Sequence, residues 1–116
     1  GRVFVNSWVY GSSGTPSNVL AYSVTIPKAG VYSFETSGAI GSCGFALELN
    51  TKLTLTNSSN TVIGTNDNTS SSVMTFPGIA CSYLSLTLQP GTYTVQVASG
   101  TGFNAGTFRL HVRSGV

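Results

Sequence analysis

Tyr83 to Ala98 reads YLSLTLQPGTYTVQVA, and its spacing decides the fold class. Leu84, Leu86 and Leu88 fall on every second residue, Gln89-Pro90-Gly91 interrupts, and Tyr93, Val95 and Val97 resume the alternation. A period of two with β-branched and aromatic residues describes half-buried strands, whereas a helix repeats its apolar positions every three or four residues. At the turn before Val31, Pro27 presets φ and Gly30 is free to take positive φ.

The same grammar extends in both directions. Leu20 to Ile26 alternates, with Leu20, Tyr22, Val24 and Ile26 on one face. Pro27-Lys28-Ala29-Gly30 is a turn, and Val31 to Thr36 reads as the hairpin partner, with Tyr32 and Phe34 inward. Phe45 to Asn57 carries strand material with Leu53 and Leu55 inward. A turn at Asn57 to Asn60 leads to a short strand at Thr61 to Gly64, and Val73 to Phe76 is another. Thr92 to Ala98 and Thr107 to Arg113 read as a final hairpin. Arg2 to Tyr10 reads as a first strand, followed by a turn-rich loop from Gly11 to Asn18. Gly30-Val31-Tyr32, Gly91-Thr92-Tyr93 and Gly106-Thr107-Phe108 each open a strand in the same way: glycine turns and an aromatic enters the core. About eight or nine such strands predict an antiparallel β-sandwich of the jelly-roll kind, one domain over residues 1–116.

Charged residues make up 7% of the chain, against about 25% in ordinary soluble domains. The surface must therefore be built from Ser, Thr, Asn and Gly, a composition common in secreted β proteins. Cys43 and Cys81 either form one disulfide or are two buried thiols. The secreted-type composition favours the disulfide, which would stabilise the fold by about 4 kcal/mol in the chain-entropy model. No apolar run approaches the ~20 residues that span a bilayer. No signal peptide is visible, and the sequence reads as a mature domain of a larger secreted protein.

The shortage of charge narrows the chemistry. His111 is the only histidine, between Arg109 and Arg113, and reads as an exposed strand residue whose basicity those arginines lower. Nothing pairs Glu35, Glu48 and Asp67 for glycoside hydrolysis. One histidine and two distant cysteines do not make a transition-metal site. A nucleic-acid binder needs a clustered basic surface, and only Arg109 and Arg113 cluster. The expectation is therefore a domain without catalytic machinery. A cleft in which His111 meets a carboxylate and a hydroxyl would overturn it.

The run from Pro27-Lys28-Ala29-Gly30 through VYSFETSG, KLTLTNSSNTVIGTNDN, LSLTLQPGTYTVQV and the closing GTFRLHV resembles the bacterial pre-peptidase C-terminal domain over roughly Tyr22 to Val112. That resemblance implies a β-sandwich appended to secreted proteases and other hydrolases, with an accessory role. Some relatives carry calcium. Where they show an acidic residue and then Asn-Asp-Asp, this chain has Asn50 and Asn66-Asp67-Asn68. Asn66, Asp67 and Asn68 are thus candidate calcium ligands of low charge, or a hydrogen-bonded Asx turn.

Two surfaces are candidates for binding. In the first strand Val3, Val5 and Val9 share one face; Phe4, Trp8 and Tyr10 share the other with Arg2 and Asn6. Either the valines face the core and Trp8 and Tyr10 form an exposed aromatic row, or the strand is covered on both faces, or Trp8 is itself core. Exposed rings pack against the C–H faces of sugars, and Asn6 would meet hydroxyls. Arg109, His111 and Arg113 alternate along the last strand and would meet an anionic polymer or a parent catalytic domain. The function these features imply is an accessory module that anchors a secreted hydrolase to polysaccharide or another insoluble polymer. The alternative is a structural or export-supporting domain that docks on its parent.

Overall fold

The computed structural model describes residues 1–13, 19–37, 51–67, 82–99 and 106–115. Among them are eight strands and no helix: β1 (Ser7–Ser13), β2 (Val19–Ile26), β3 (Gly30–Ser37), β4 (Thr51–Thr56), β5 (Val62–Asp67), β6 (Tyr83–Leu88), β7 (Gly91–Ser99) and β8 (Gly106–Ser114). They form two antiparallel four-stranded sheets, ordered β1-β8-β3-β6 and β2-β7-β4-β5. Cys43, Cys81, Asn68 and the strands expected at 45–50 and 73–76 lie outside the described residues.

Alternation places the core as the spacing predicts. Phe34, Phe108, Leu110 and Val112 of one sheet and Ile26, Leu53, Leu55, Val95 and Val97 of the other are fully buried. Each such side chain contributes about 1.5–3 kcal/mol of burial. They meet between the sheets, with Val3, Val24, Tyr32, Leu84 and Leu88 completing the cluster among the described residues.

Two of the expected hairpins do not exist. β2 pairs with β7, whereas β3 pairs with β6 and β8, so the turn at Pro27 carries the chain from one sheet to the other. β7 and β8 likewise lie in opposite sheets. Alternation says which side of a strand meets the core, and two strands facing each other across a sandwich share that pattern with two hairpin neighbours. β4 and β5 do form a hairpin, closed by Asn57, whose Oδ1 accepts the amides of Ser59 and Thr61 at 2.9 and 3.0 Å.

The recurring glycine–aromatic phrase marks the crossings. At β2–β3 the Tyr32 hydroxyl donates to the Lys28 carbonyl at 2.7 Å. At β6–β7 the Tyr93 hydroxyl donates to the Gln89 carbonyl at 2.8 Å. Both reach back four residues and pin the chain where it changes sheets.

The expected first strand is split. Arg2 forms a parallel bridge with Ser23 at the edge of β2. The chain then turns between Phe4 and Ser7, with Asn6 at φ 62°, and joins the opposite sheet as β1. Asparagine tolerates that left-handed conformation better than most residues. β1 runs on through Gly11, which had read as the start of a loop. A Cβ there would collide with the Tyr22 hydroxyl and with Phe108 Cζ at 2.5 Å. Glycine at this position lets the edge-to-face Tyr22–Phe108 pair approach the strand.

Candidate functional site

The register of three strands builds the outer face of the first sheet. Trp8 lies opposite His111, and Tyr10 opposite Arg109. Across the other side of β8, Arg113 faces Ser33, His111 faces Glu35 and Arg109 faces Ser37. With Phe108, Leu110 and Val112 turned to the core, Arg109, His111 and Arg113 must point outward. The aromatic row and the basic row predicted as separate surfaces are therefore one surface.

The valines of the N-terminal segment face inward and the aromatics outward, despite the turn at Asn6. Val3 is buried, while Phe4, Trp8 and Tyr10 are 63%, 50% and 59% exposed. The Arg109 guanidinium carbon lies 4.9 Å from the Trp8 ring centroid, a cation–π stack worth about 0.5–1 kcal/mol at an exposed site. Trp8 and His111 have ring centroids 6.2 Å apart at 38°. On the side of Trp8 away from Arg109 and Tyr10 lies a pocket of about 320 Å³, lined by Asn6, Ser7, Trp8, His111, Val112 and Arg113. Asn6 is fixed there by Ser114: its Oδ1 accepts the Ser114 amide and its Nδ2 donates to the Ser114 hydroxyl, both at 3.1 Å.

His111 is not the exposed residue its neighbours suggested. Only 9% of it is accessible, and its Nε2 is hydrogen-bonded to the Ser37 hydroxyl at 2.8 Å. Burial, then the charge of Arg113, push its pKa down to about 4, with Arg109 adding to the effect and Glu35 opposing it. The imidazole is neutral at pH 7. Glu35 is buried and accepts from Arg113 Nη1 at 2.7 Å. Sequence reasoning missed Glu35 and Ser37. Their parity with Ser33 on the outer face of a central strand was the available signal.

Ser37, His111 and Glu35 thus bring a hydroxyl, an imidazole and a carboxylate to adjacent strands, the trio that would overturn a non-catalytic reading. Three features remove nucleophilic catalysis from this cluster. Ser37 is 1% exposed, so a substrate carbonyl cannot approach its hydroxyl. An imidazole titrating near 4 is a weak base. The Glu35 carboxylate is held by the Arg113 guanidinium.

The candidate calcium ligands are in part committed elsewhere. Asn66 lies in β5, and its Oδ1 accepts the Tyr83 amide of β6 at 3.1 Å. It ties the edge strands of the two sheets together. Asp67 ends β5 opposite Lys52. Among the described residues no three His, Cys, Asp or Glu side chains gather around a common point.

No family model and no curated protein matches the sequence. Among solved structures, the pre-peptidase C-terminal domain of a collagenase from Bacillus anthracis aligns over 96% of this chain and 91% of its own, with a TM-score of 0.65 and 15% identity. The chain has the pre-peptidase C-terminal domain fold. A glucanotransferase from a Paenibacillus species, complexed with cycloisomaltoheptaose, aligns over 90% of this chain but 15% of its own, at 22% identity and a TM-score of 0.39. The fold, in this chain, presents β1 at a sheet edge, with its aromatics beside the basic row of β8.

Proposed function

We propose that this chain is a non-catalytic accessory module of the pre-peptidase C-terminal family, anchoring a larger secreted hydrolase to polysaccharide. The observation that carries the proposal is the union of Trp8 and Tyr10, both at least half exposed, with the pocket formed by Asn6, His111 and Arg113. An exposed aromatic row is costly for a protein that meets no partner. Rings offer a stacking surface for sugar C–H faces, and the Asn6 and Arg113 side chains offer polar contacts to hydroxyls. A weak site suffices, because tethering raises the effective concentration of the parent enzyme at its substrate.

Replacing Trp8 and Tyr10 together by alanine tests this reading. The double variant should stay folded and lose retention on insoluble glycans. Unfolding, or unchanged retention, would reject it.

Phe4 supports a second reading. Among the described residues it is the most exposed large apolar side chain, and it lies outside the pocket, so it fits a docking contact with a parent catalytic domain. Comparing parent activity with and without this segment separates the two. Loss on insoluble substrate alone favours anchoring, and loss on soluble substrate as well favours docking.

A further inference from the structure

The two arginines of the outer face have different fates. Arg113 is held by the buried Glu35 carboxylate, so its charge is largely neutralised within the protein. Arg109 has no such partner. Among the described residues no carboxylate pairs with it, and its Nε–H is buried with no hydrogen-bond acceptor, which leaves the terminal nitrogens for a ligand. Its guanidinium is held by the Trp8 ring instead. A stacked guanidinium retains its in-plane donors, and those donors match a planar carboxylate.

The surroundings accentuate this charge. Glu35 is the only acid in β1, β3, β6 and β8, and it is buried against Arg113. His111 is neutral at pH 7 and contributes no charge of its own. Among the described residues this face therefore carries one uncompensated cation, placed on the tryptophan that would stack a sugar ring.

We infer that the preferred ligand of this face is an acidic polysaccharide, whose uronate carboxylate pairs with Arg109 while the sugar ring packs beside Trp8. The inference rests on the polysaccharide reading above and names the substrate class. A neutral glycan would stack as well but would bring no opposite charge to the Arg109 guanidinium.

Affinity electrophoresis of the whole chain in gels containing polygalacturonate, and in parallel gels containing a neutral β-glucan, tests it. The wild-type chain should be retarded by polygalacturonate at least about tenfold more strongly than by the neutral polymer, which is the scale of one charge-assisted hydrogen bond. Added salt should weaken that retardation. R109Q should lose most of it, R109K should keep part, and both should remain folded with a cooperative unfolding transition. Equal retardation by both polymers, or an R109Q variant retarded like wild type, would overturn the acidic preference and leave glycan binding standing. No retardation by any polysaccharide would overturn both readings. Retention by an acidic protein column but by neither polymer would give the surface to a protein partner and also reject the inference.

Discussion

The Arg113 guanidinium meets the Glu35 carboxylate at 2.7 Å from the neighbouring strand of the same sheet. The two ends of this pair are not equivalent. The Glu35 side chain is 1% exposed, and that of Arg113 26%. Removing the arginine takes the ion-pair partner from a carboxylate that is out of reach of water. Removing the carboxylate leaves a cation that water can reach. R113M should therefore cost about 3–5 kcal/mol, and E35Q clearly less. Urea unfolding at pH 7 measures both. Equal losses below about 1 kcal/mol would mean that the pair behaves as a surface ion pair.

His111 makes stability depend on pH in a definite direction. Its pKa falls from 6.5 in the unfolded chain to about 4 in the folded one. Between these values the unfolded state binds the extra proton, so stability is intact above pH 6.5 and declines as the pH drops toward 4. The loss is on the order of 3 kcal/mol by linkage. Denaturant midpoints measured from pH 7 to 4 should fall for wild type and stay flatter for H111Q. A wild-type midpoint that rises over this range would show that Glu35 holds a charged imidazole instead.

The two tyrosine hydroxyls that pin the sheet crossings should differ in worth. Tyr32 is buried, so Y32F leaves the Lys28 carbonyl without its donor in a partly buried site and should cost about 1–2 kcal/mol. Tyr93 makes the same bond in an exposed setting, where water can replace it. Y93F should cost less than about 0.5 kcal/mol. Thermal unfolding of the two variants checks the order, and the reverse order would contradict it.

Asn66 separates a structural from a calcium-binding role. Because its Oδ1 accepts the Tyr83 amide, N66A should destabilise the domain by about 1 kcal/mol whether calcium or a chelator is present. A loss that appears only with calcium would return Asn66 to the ligand set.

Gly11 tests the close approach at β1. G11A puts a methyl group against the rings of Tyr22 and Phe108 and should cost about 1–3 kcal/mol through overpacking. G91A adds a methyl in open space, so its cost comes from the positive φ of 150° alone. Calorimetry on both variants distinguishes packing from backbone strain.

The alternation of Leu84 to Val97 and of Phe108 to Val112 determined by itself that this chain is a β-sandwich and which side chains fill it. Parity put Trp8 and Tyr10 on the face opposite Val3, Val5 and Val9, because side chains along a strand can take only two sides, but which face met the core it left open. Strand partners were beyond its reach. Pro27 read as a hairpin turn and the last two strands as a hairpin, yet each pair lies in opposite sheets, since the in-and-out pattern is the same for neighbours within a sheet and across it. Only the pairing of β1 with β8 could join the aromatic row to the basic row, and only the pairing of β8 with β3 could bury His111 between Ser37 and Glu35. Those contacts join residues far apart along the chain. Their strength comes from desolvation and register, which arise when the sheets assemble.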